Sequence, residues 1–132
     1  MQWDEAAFGL GVHEMDATHR EFVSFVAALA VAPTAEFPAL FEQVRQHTRK
    51  HFEREYALMQ ACDFPALREH EAEHARVLAD LTHLSARVQQ GSLTMARAYA
   101  QGLPDWFRNH LATMDSALAA CLKARQVRTL AA

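Results

Sequence analysis

Seven side chains that can bind a metal, spread over four segments, constrain this chain more than any other feature. They follow the pattern H…HxxxE…HxxxH…HxxxxD and comprise His19, His51, Glu55, His70, His74, His110 and Asp115. Imidazole and carboxylate groups are typical ligands of borderline transition metals such as iron. Because the segments lie far apart in the sequence, a fold that uses all seven residues must bring four segments to one point.

The composition favours helices over sheets. Only four glycines and four prolines occur among 132 residues, so the chain has few of the turns that a many-stranded β protein needs. Alanine, leucine, glutamate, glutamine and arginine, which are good helix formers, are abundant. A chain of this length is the size of one ordinary domain and can bury a core without disulfides. We therefore treat residues 1–132 as a single domain.

The order of helix and turn signals predicts an all-α, up-down-up-down four-helix bundle with an irregular N-terminal arm over residues 1–15. The helices are expected over about residues 18–31, 36–61, 65–89 and 93–126. Pro65 suits the first position of the third helix, with Asp63 as its cap. Gly102 and Pro104 predict a kink in the last helix, or two helices that meet at Pro104.

Charge and apolar patterning argue against two classes of partner. The 13 basic and 16 acidic residues give a formal charge of -3 without a basic stripe, so we expect no nucleic-acid binding. The N-terminus lacks the pattern of a secretory signal, and the longest apolar run, residues 22–32, is too short to cross a bilayer. We expect a soluble, cytoplasmic monomer that does not insert into membranes.

Helical spacing turns the seven residues into a candidate metal site. Residues four apart project from one helix face, so the HxxxE pair and the HxxxH pair each point in one direction. Asp115 lies five after His110 and diverges from it by about 140°, which suits a carboxylate that reaches sideways to a second ion. Seven donors exceed the roughly six that one such ion takes. Two ions could share them with a solvent-derived oxygen, leaving one coordination position open.

A simpler interpretation exists for each fragment taken alone. A buried histidine is usually only hydrogen-bonded, and a single HxxxE or HxxxH pair occurs by chance on solvated helices. The complete set in order, with every member inside a predicted helix, favours a metal site. The donor types alone accept manganese and zinc as well as iron.

Longer motifs surround these residues: MDATH at residues 15–19, HFERE at 51–55, HEAEH at 70–74 and WFRNHL at 106–111. With them the chain, from Trp3 to about Leu122, resembles the hemerythrin family, specifically its single-domain bacterial form, the bacteriohemerythrins. The resemblance implies reversible dioxygen binding at a non-haem di-iron centre. Its cofactors would be two iron ions with a bridging oxo or hydroxo group.

The resemblance also implies a role for each residue of the pattern. The iron-binding residues would be divided into three groups: His70, His74 and His110 on one iron, His19 and His51 on the other, and Glu55 and Asp115 as bridges. Dioxygen would add to the iron with two histidines. Phe52, Trp106, Phe107 and Leu111 occupy the places that line the gas pocket in this family.

Three functions remain open for such a site. The first is a dioxygen carrier, not an enzyme, used for storage, sensing or delivery to an oxygen-consuming enzyme. The second is a di-iron peroxidase or nitric oxide reductase, and the third is a signalling module that responds to oxygen or oxidation. Neutral imidazoles favour the ferrous form and easy release, so a site with more histidines than acids favours the carrier.

Four further residues lie outside the pattern. Tyr56 and His47 depart from the family, where a second glutamate and a tyrosine are common. We expect His47 to be a hydrogen-bonded neighbour of the site or a core histidine, not an eighth ligand. Cys62 and Cys121 should face the interior near one end of the bundle. We expect buried, inert thiols, since diagonal helices lie far apart for a disulfide.

Overall fold

The computed structural model describes residues 1–131, with side chains through Gln126, and this part of the chain is helical without any β-strand. A one-turn helix, α1 (Glu5–Phe8), comes first. The remaining helices are α2 (His13–Ala30), α3 (Phe37–Ala61), α4 (Leu67–Gln89), α5 (Thr94–His110) and α6 (Ser116–Ala131). A π-helical turn, Leu111–Asp115, joins α5 to α6, so these two helices form one long rod.

The closed bundle contains four helical rods: α2, α3, α4 and the continuous rod of α5 and α6. Each rod packs beside the next one along the chain, and α5 also packs against α2. Because the connections are short, consecutive rods run in opposite directions. The predicted all-α four-helix bundle is therefore confirmed. No described helix has the length and apolar character that crossing a membrane requires.

The buried stripe of α3 shows how the fold positions polar residues in its centre. Residues recurring at intervals of three or four face inward, as expected for a helix with one apolar side. The buried residues of this stripe are Phe37, Phe41, Val44, Thr48, His51, Phe52, Glu55 and Met59. His51 and Glu55 thus lie in the core with apolar residues above and below them. Such buried polar groups are costly unless they find partners.

The N-terminal arm is shorter than predicted, because α2 begins at His13 and not near Thr18. The Asp16 carboxylate does not cap its own helix. It accepts backbone N–H bonds from Leu10 and Gly11, at 2.9 and 3.2 Å. Gly11 has a φ of +76°, which a glycine adopts without strain. This turn fixes the direction in which the chain enters α2 and lets the helix start one turn earlier.

The connection between α3 and α4 also differs from the prediction. Asp63 does not cap α4, which begins at Leu67. Instead Asp63 has a φ of +52° and ends α3. The Phe64 N–H donates to the Met59 carbonyl at 2.9 Å, which closes a Schellman-type C-cap. The predicted end of α4 at about residue 89 is confirmed, since the helix ends at Gln89 and Gly91, with a φ of +90°, follows its C-cap.

The predicted form in which two helices meet at Pro104 is wrong. Helix α5 continues through Pro104, and the irregular turn lies farther along, at Leu111–Asp115. The Ser116 N–H donates to the Leu111 carbonyl five residues before it, which is the hydrogen bond of a π-helix. A proline kink follows from local sequence, whereas this turn serves the position of the Asp115 side chain, as described below.

The two cysteines lie together at one end of the bundle. The Cys121 thiol on α6 donates a hydrogen bond to the backbone carbonyl of Cys62, the C-cap of α3, at 3.3 Å. The prediction that these residues lie far apart is therefore wrong. The rods that carry them approach each other at this end, where the small Ala119 shares their apolar cluster.

Candidate metal centre

All seven residues of the sequence pattern meet in the middle of the bundle, and each is at most 4% exposed. One comes from α2, two from α3, two from α4, one from α5 and one from the π-helical turn. The donor atoms fall into two overlapping groups in which every atom lies within 4.8 Å of the others. The structure thus brings together every residue that the sequence proposes as a ligand.

The Glu55 carboxylate faces histidines on both sides. Its Oε2 lies 3.1 Å from His19 Nε2 and 2.6 Å from His51 Nε2. Its Oε1 lies 3.3 Å from His70 Nε2 and 3.4 Å from His74 Nε2. The two oxygens of Glu55 therefore face opposite sides of the centre.

The Asp115 carboxylate is divided in the same way. Its Oδ2 lies 3.3 Å from His19 Nε2, while its Oδ1 lies 3.2 Å from both His70 Nε2 and His110 Nε2. The two carboxylates together separate the imidazoles into two groups. We call these groups the two-histidine set (His19 and His51) and the three-histidine set (His70, His74 and His110).

The π-helical turn brings Asp115 into this arrangement. In a regular α-helix, a residue five after His110 would diverge from it by about 140°. The wider turn, with its i→i+5 hydrogen bond, reduces that divergence. Both side chains then reach the same centre, where His110 Nε2 and Asp115 Oδ1 are 3.2 Å apart.

The donor atoms fit a metal better than they fit one another. Glu55 Oε1, His70 Nε2 and both Asp115 oxygens are buried without a hydrogen-bond partner among the described residues. His74 Nε2 and His110 Nε2 face each other at 3.2 Å, and one of these nitrogens must carry a proton to bond to the other. Buried polar atoms left in this state are costly. A cation coordinated by nitrogen and oxygen would satisfy them, so the cluster is able to hold a metal.

Charge in the centre is balanced by protonated histidines when no metal is bound. Burial alone would lower the pKa of His19, but the neighbouring Asp115 and Glu55 carboxylates outweigh it and raise the pKa to about 9. Burial alone would also lower the pKa of His70, but the same two carboxylates raise it to about 9. Burial alone would raise the pKa of the Glu55 and Asp115 carboxyl groups. The neighbouring imidazoles nevertheless hold both pKa values below their usual range. Burial lowers the pKa of His74 to about 3.

These pKa shifts predict how the stability of the metal-free protein depends on pH. Protonated His19 and His70 stabilise the fold fully below the ordinary pKa of 6.5, and this contribution is lost as the pH rises to about 9. In acid, His74 protonates at pH 6.5 in the unfolded chain but only near pH 3 in the folded one, so stability falls there as well. We expect a maximum of the free energy of unfolding near pH 6.5, measured by urea denaturation with a chelator present.

Zinc loading provides the control for this experiment. Bound metal needs deprotonated imidazoles, so the stability of the loaded protein should rise between pH 6.5 and 9 while that of the metal-free protein falls. A metal-free stability that stays level or increases across this interval would contradict the charge balance described above.

Aromatic rings pack directly on the three-histidine set. The Phe52 ring stacks on His74 at a centroid distance of 3.6 Å, and the Trp106 ring stacks on His110 at 4.7 Å. Leu111 follows His110 directly in the chain and is buried in an apolar cluster with Phe22 and Phe107. Phe52 and Trp106 are therefore adjacent to the centre.

Several contacts of the centre are absent from the sequence prediction. Phe107, expected as a pocket residue, lies against His19 at 5.4 Å between ring centroids, and Phe22, which the sequence did not single out, lies against His51 at 6.2 Å. Glu71 Oε1 is 3.6 Å from His74 Nδ1. A simple signal was available, since each of these residues lies three positions from a histidine of the centre on its own helix.

One contact had no such signal. The Trp106 indole N–H donates to Glu73 Oε1 at 2.9 Å, across from α5 to α4, and this bond fixes the ring that stacks on His110. His47 is not part of the cluster, in agreement with the expectation that it is not an eighth ligand. Its ring packs on Phe25 at 5.0 Å, and its Nδ1 lies 3.5 Å from Glu21. Tyr56 is exposed.

Two surface cavities lead toward the centre. One, of about 510 Å³ between α2 and α3, is lined by His51 and Glu55 on its inner side and by charged residues, including Arg54, farther out. A smaller one, of about 270 Å³ between α3 and α4, reaches Phe52 and His74. Small molecules could therefore approach either histidine set from solvent.

Comparison with known proteins adds an independent finding. The family model described as the Hemerythrin HHE cation binding domain matches residues 10–122. A bacteriohemerythrin from Ralstonia nicotianae is 36% identical over 125 residues, which cover 95% of this chain and 90% of that protein. A crystal structure of wild-type hemerythrin aligns with a TM-score of 0.84 at 24% identity, over 92% of this chain and 97% of that one. A point mutant of hemerythrin gives a TM-score of 0.83 at 23% identity, over 92% and 96% of the two chains. These two structures indicate similarity of fold.

Proposed function

Since this chain belongs to the hemerythrin family, we propose that its buried centre holds two iron ions with a bridging oxo or hydroxo group and binds dioxygen reversibly. The matched region covers the histidines and acids of the centre, from His19 to Asp115.

The division of the two carboxylates is the observation that carries this proposal. Glu55 and Asp115 each direct one oxygen to the two-histidine set and the other to the three-histidine set. A carboxylate that serves a single ion has no need of this arrangement. Two neighbouring ions with shared carboxylates account for it, with one ion at each histidine set.

The unequal histidine sets supply an open position. The ion held by His70, His74 and His110 would have one more protein ligand than the ion held by His19 and His51. An exogenous ligand would therefore bind at the two-histidine set. The larger cavity supports this assignment, because its inner wall includes His51 and Glu55.

The cofactor and the protein contribute different parts of the function. When bound, paired iron ions supply two electrons to dioxygen and recover them on release. The protein's part is to keep the imidazoles neutral and oriented, because neutral donors favour the reduced state and easy release of the gas. The excess of five histidines over two acids in the centre supports a carrier over an enzyme that breaks dioxygen.

Aromatic rings on both histidine sets would protect the bound gas. Phe107 and Phe22 lie against His19 and His51. Phe52 and Trp106 stack on His74 and His110, and Leu111 is 4% exposed. An apolar wall keeps water and protons away from the site and slows irreversible oxidation of the metal. The hydrogen bond from Trp106 to Glu73 holds this ring in place.

Metal analysis combined with optical spectra tests the proposal. We expect two irons per chain, a colourless protein after anaerobic reduction, and a coloured one after exposure to air. The reduced spectrum should return when the gas is removed. His110→Ala should abolish the reversible change, whereas His83→Ala, which alters an exposed histidine outside the centre, should preserve it.

The same experiment separates the carrier from the enzymatic alternatives. Catalytic consumption of peroxide or nitric oxide, with no lasting oxygenated form, would replace the carrier by a peroxidase or reductase. One metal per chain at full occupancy would refute the paired site. As a carrier, the protein would store dioxygen or deliver it to an oxygen-consuming enzyme in the cytoplasm.

A further inference from the structure

Cys62 and Cys121 form a close pair outside the metal centre. The Cys121 Sγ lies 3.3 Å from the carbonyl oxygen of Cys62, and both residues belong to the apolar cluster at the end of α3. Met59 and Leu118, both fully buried, pack around them. None of the functions proposed for the metal centre uses these thiols.

The two thiols differ in access and in reactivity. Cys62 is buried, whereas Cys121 is partly exposed. Burial raises the pKa of Cys62 to about 12, and a hydrogen bond with the Cys121 thiol contributes to the shift. The Cys62 thiol is therefore a poor first target for peroxide in solution, yet it lies within hydrogen-bonding reach of a thiol that solvent can approach.

We propose that Cys62 and Cys121 are a dithiol site that hydrogen peroxide oxidises to an intramolecular disulfide. Disulfide formation requires two cysteines whose backbones lie close together. Here the Cys121 side chain already touches the backbone of Cys62. The pair lies on two different rods, so the bond would connect the end of α3 to α6.

The reaction proceeds in two balanced steps. The partly exposed Cys121 sulfur attacks one peroxide oxygen, which gives a sulfenic acid and releases one water. The Cys62 sulfur then attacks the Cys121 sulfur, forming the S–S bond and displacing the hydroxyl as a second water. The two thiols lose two electrons and two protons, and the peroxide is reduced to two waters.

The disulfide would restrain the elements that hold the metal centre. Helix α3 carries His51 and Glu55, and α6 follows directly after Asp115. At the same end, Arg125 Nη1 already donates to Asp63 Oδ2 at 3.0 Å, next to Cys62. A covalent link there would oppose separation of the two rods that enclose the metal centre. Oxidation should therefore slow metal release.

The test uses the full chain loaded with zinc, which does not consume peroxide. After hydrogen peroxide treatment, the number of free thiols in denaturant should fall from two to none, with a loss of two hydrogen atoms in the intact mass and no covalent dimer. A thiol reductant should restore both thiols. The rate of zinc transfer to a chelator should fall several-fold on oxidation and recover on reduction.

Serine variants establish the order of the steps. Cys62→Ser should accumulate a sulfenic acid at Cys121 that a carbon nucleophile such as dimedone traps. Cys121→Ser should keep its buried thiol unmodified under the same conditions. Two free thiols after peroxide treatment of the parent chain, or a disulfide formed only between chains, would overturn the proposal. The assay involves neither iron nor dioxygen, so its outcome is independent of the carrier function.

Discussion

Replacing Glu55 by glutamine should leave the centre with one metal ion in place of the two that we propose. The glutamine side chain keeps the shape of glutamate but replaces one carboxylate oxygen with an NH₂ group, which cannot coordinate a cation. In the parent chain, Glu55 presents one oxygen to each histidine set. Mutation of a group that only supports a ligand lowers metal affinity by up to about 100-fold. Because Glu55 would be a direct ligand, the affinity for the second ion should fall by about 100-fold or more. Metal analysis after dialysis against a weak chelator measures this loss.

A matched acid in the same region provides the control. Glu71 approaches His74 from the outer side, at Nδ1, and does not face the centre. Glu71→Gln should retain both ions with only a modest loss of affinity. The single ion in Glu55→Gln should remain at the three-histidine set, where Asp115 still contributes an oxygen. Undiminished stoichiometry in Glu55→Gln would refute the bridging role.

Replacing Phe107 by alanine should cost about 3–5 kcal/mol of unfolding free energy, the usual range for removing a buried aromatic ring. Phe107 is 1% exposed and joins three parts of the protein. Its ring stacks on Phe22 of α2 at 5.4 Å, meets Phe8 of the N-terminal arm at 5.5 Å, and lies 5.4 Å from the His19 ring. The variant should also lose about 10-fold in metal affinity, because His19 loses the neighbour that orients it.

Phe41→Ala separates these two effects. Phe41 is fully buried but lies ten residues before His51 on α3, about 15 Å along the helix axis. This variant should lose a similar amount of unfolding free energy in urea denaturation while binding metal normally. Equal losses of metal affinity in both variants would mean that general destabilisation, and not the contact with His19, controls metal binding.

The parts of the site that sequence could predict depend on contacts within one helix. The pairs His51 with Glu55 and His70 with His74 lie four residues apart, and regular helix geometry fixes their common direction. The end of α4 at Gly91 was predictable for a similar reason, since a left-handed residue after a helix favours glycine. These rules hold whatever the rest of the fold does.

The features that sequence could not predict depend on contacts between segments. Asp16 bonds to the backbone before its own helix, so its usual role as a cap misleads. The contact of Cys121 with Cys62 depends on how closely two rods approach at one end. The Trp106 bond to Glu73 likewise joins two helices. No local pattern specifies such distances.

The turn at Leu111–Asp115 has a consequence for recognising related sites. A π-helical turn accommodates an additional residue within an otherwise continuous helix. Searches that demand an acid four places after a histidine would overlook this arrangement, because the acid here stands five places on. The irregular spacing is therefore informative in itself. A histidine and an acid five residues apart, late in an amphipathic helix, indicate a π-helical turn that directs a carboxylate into the core.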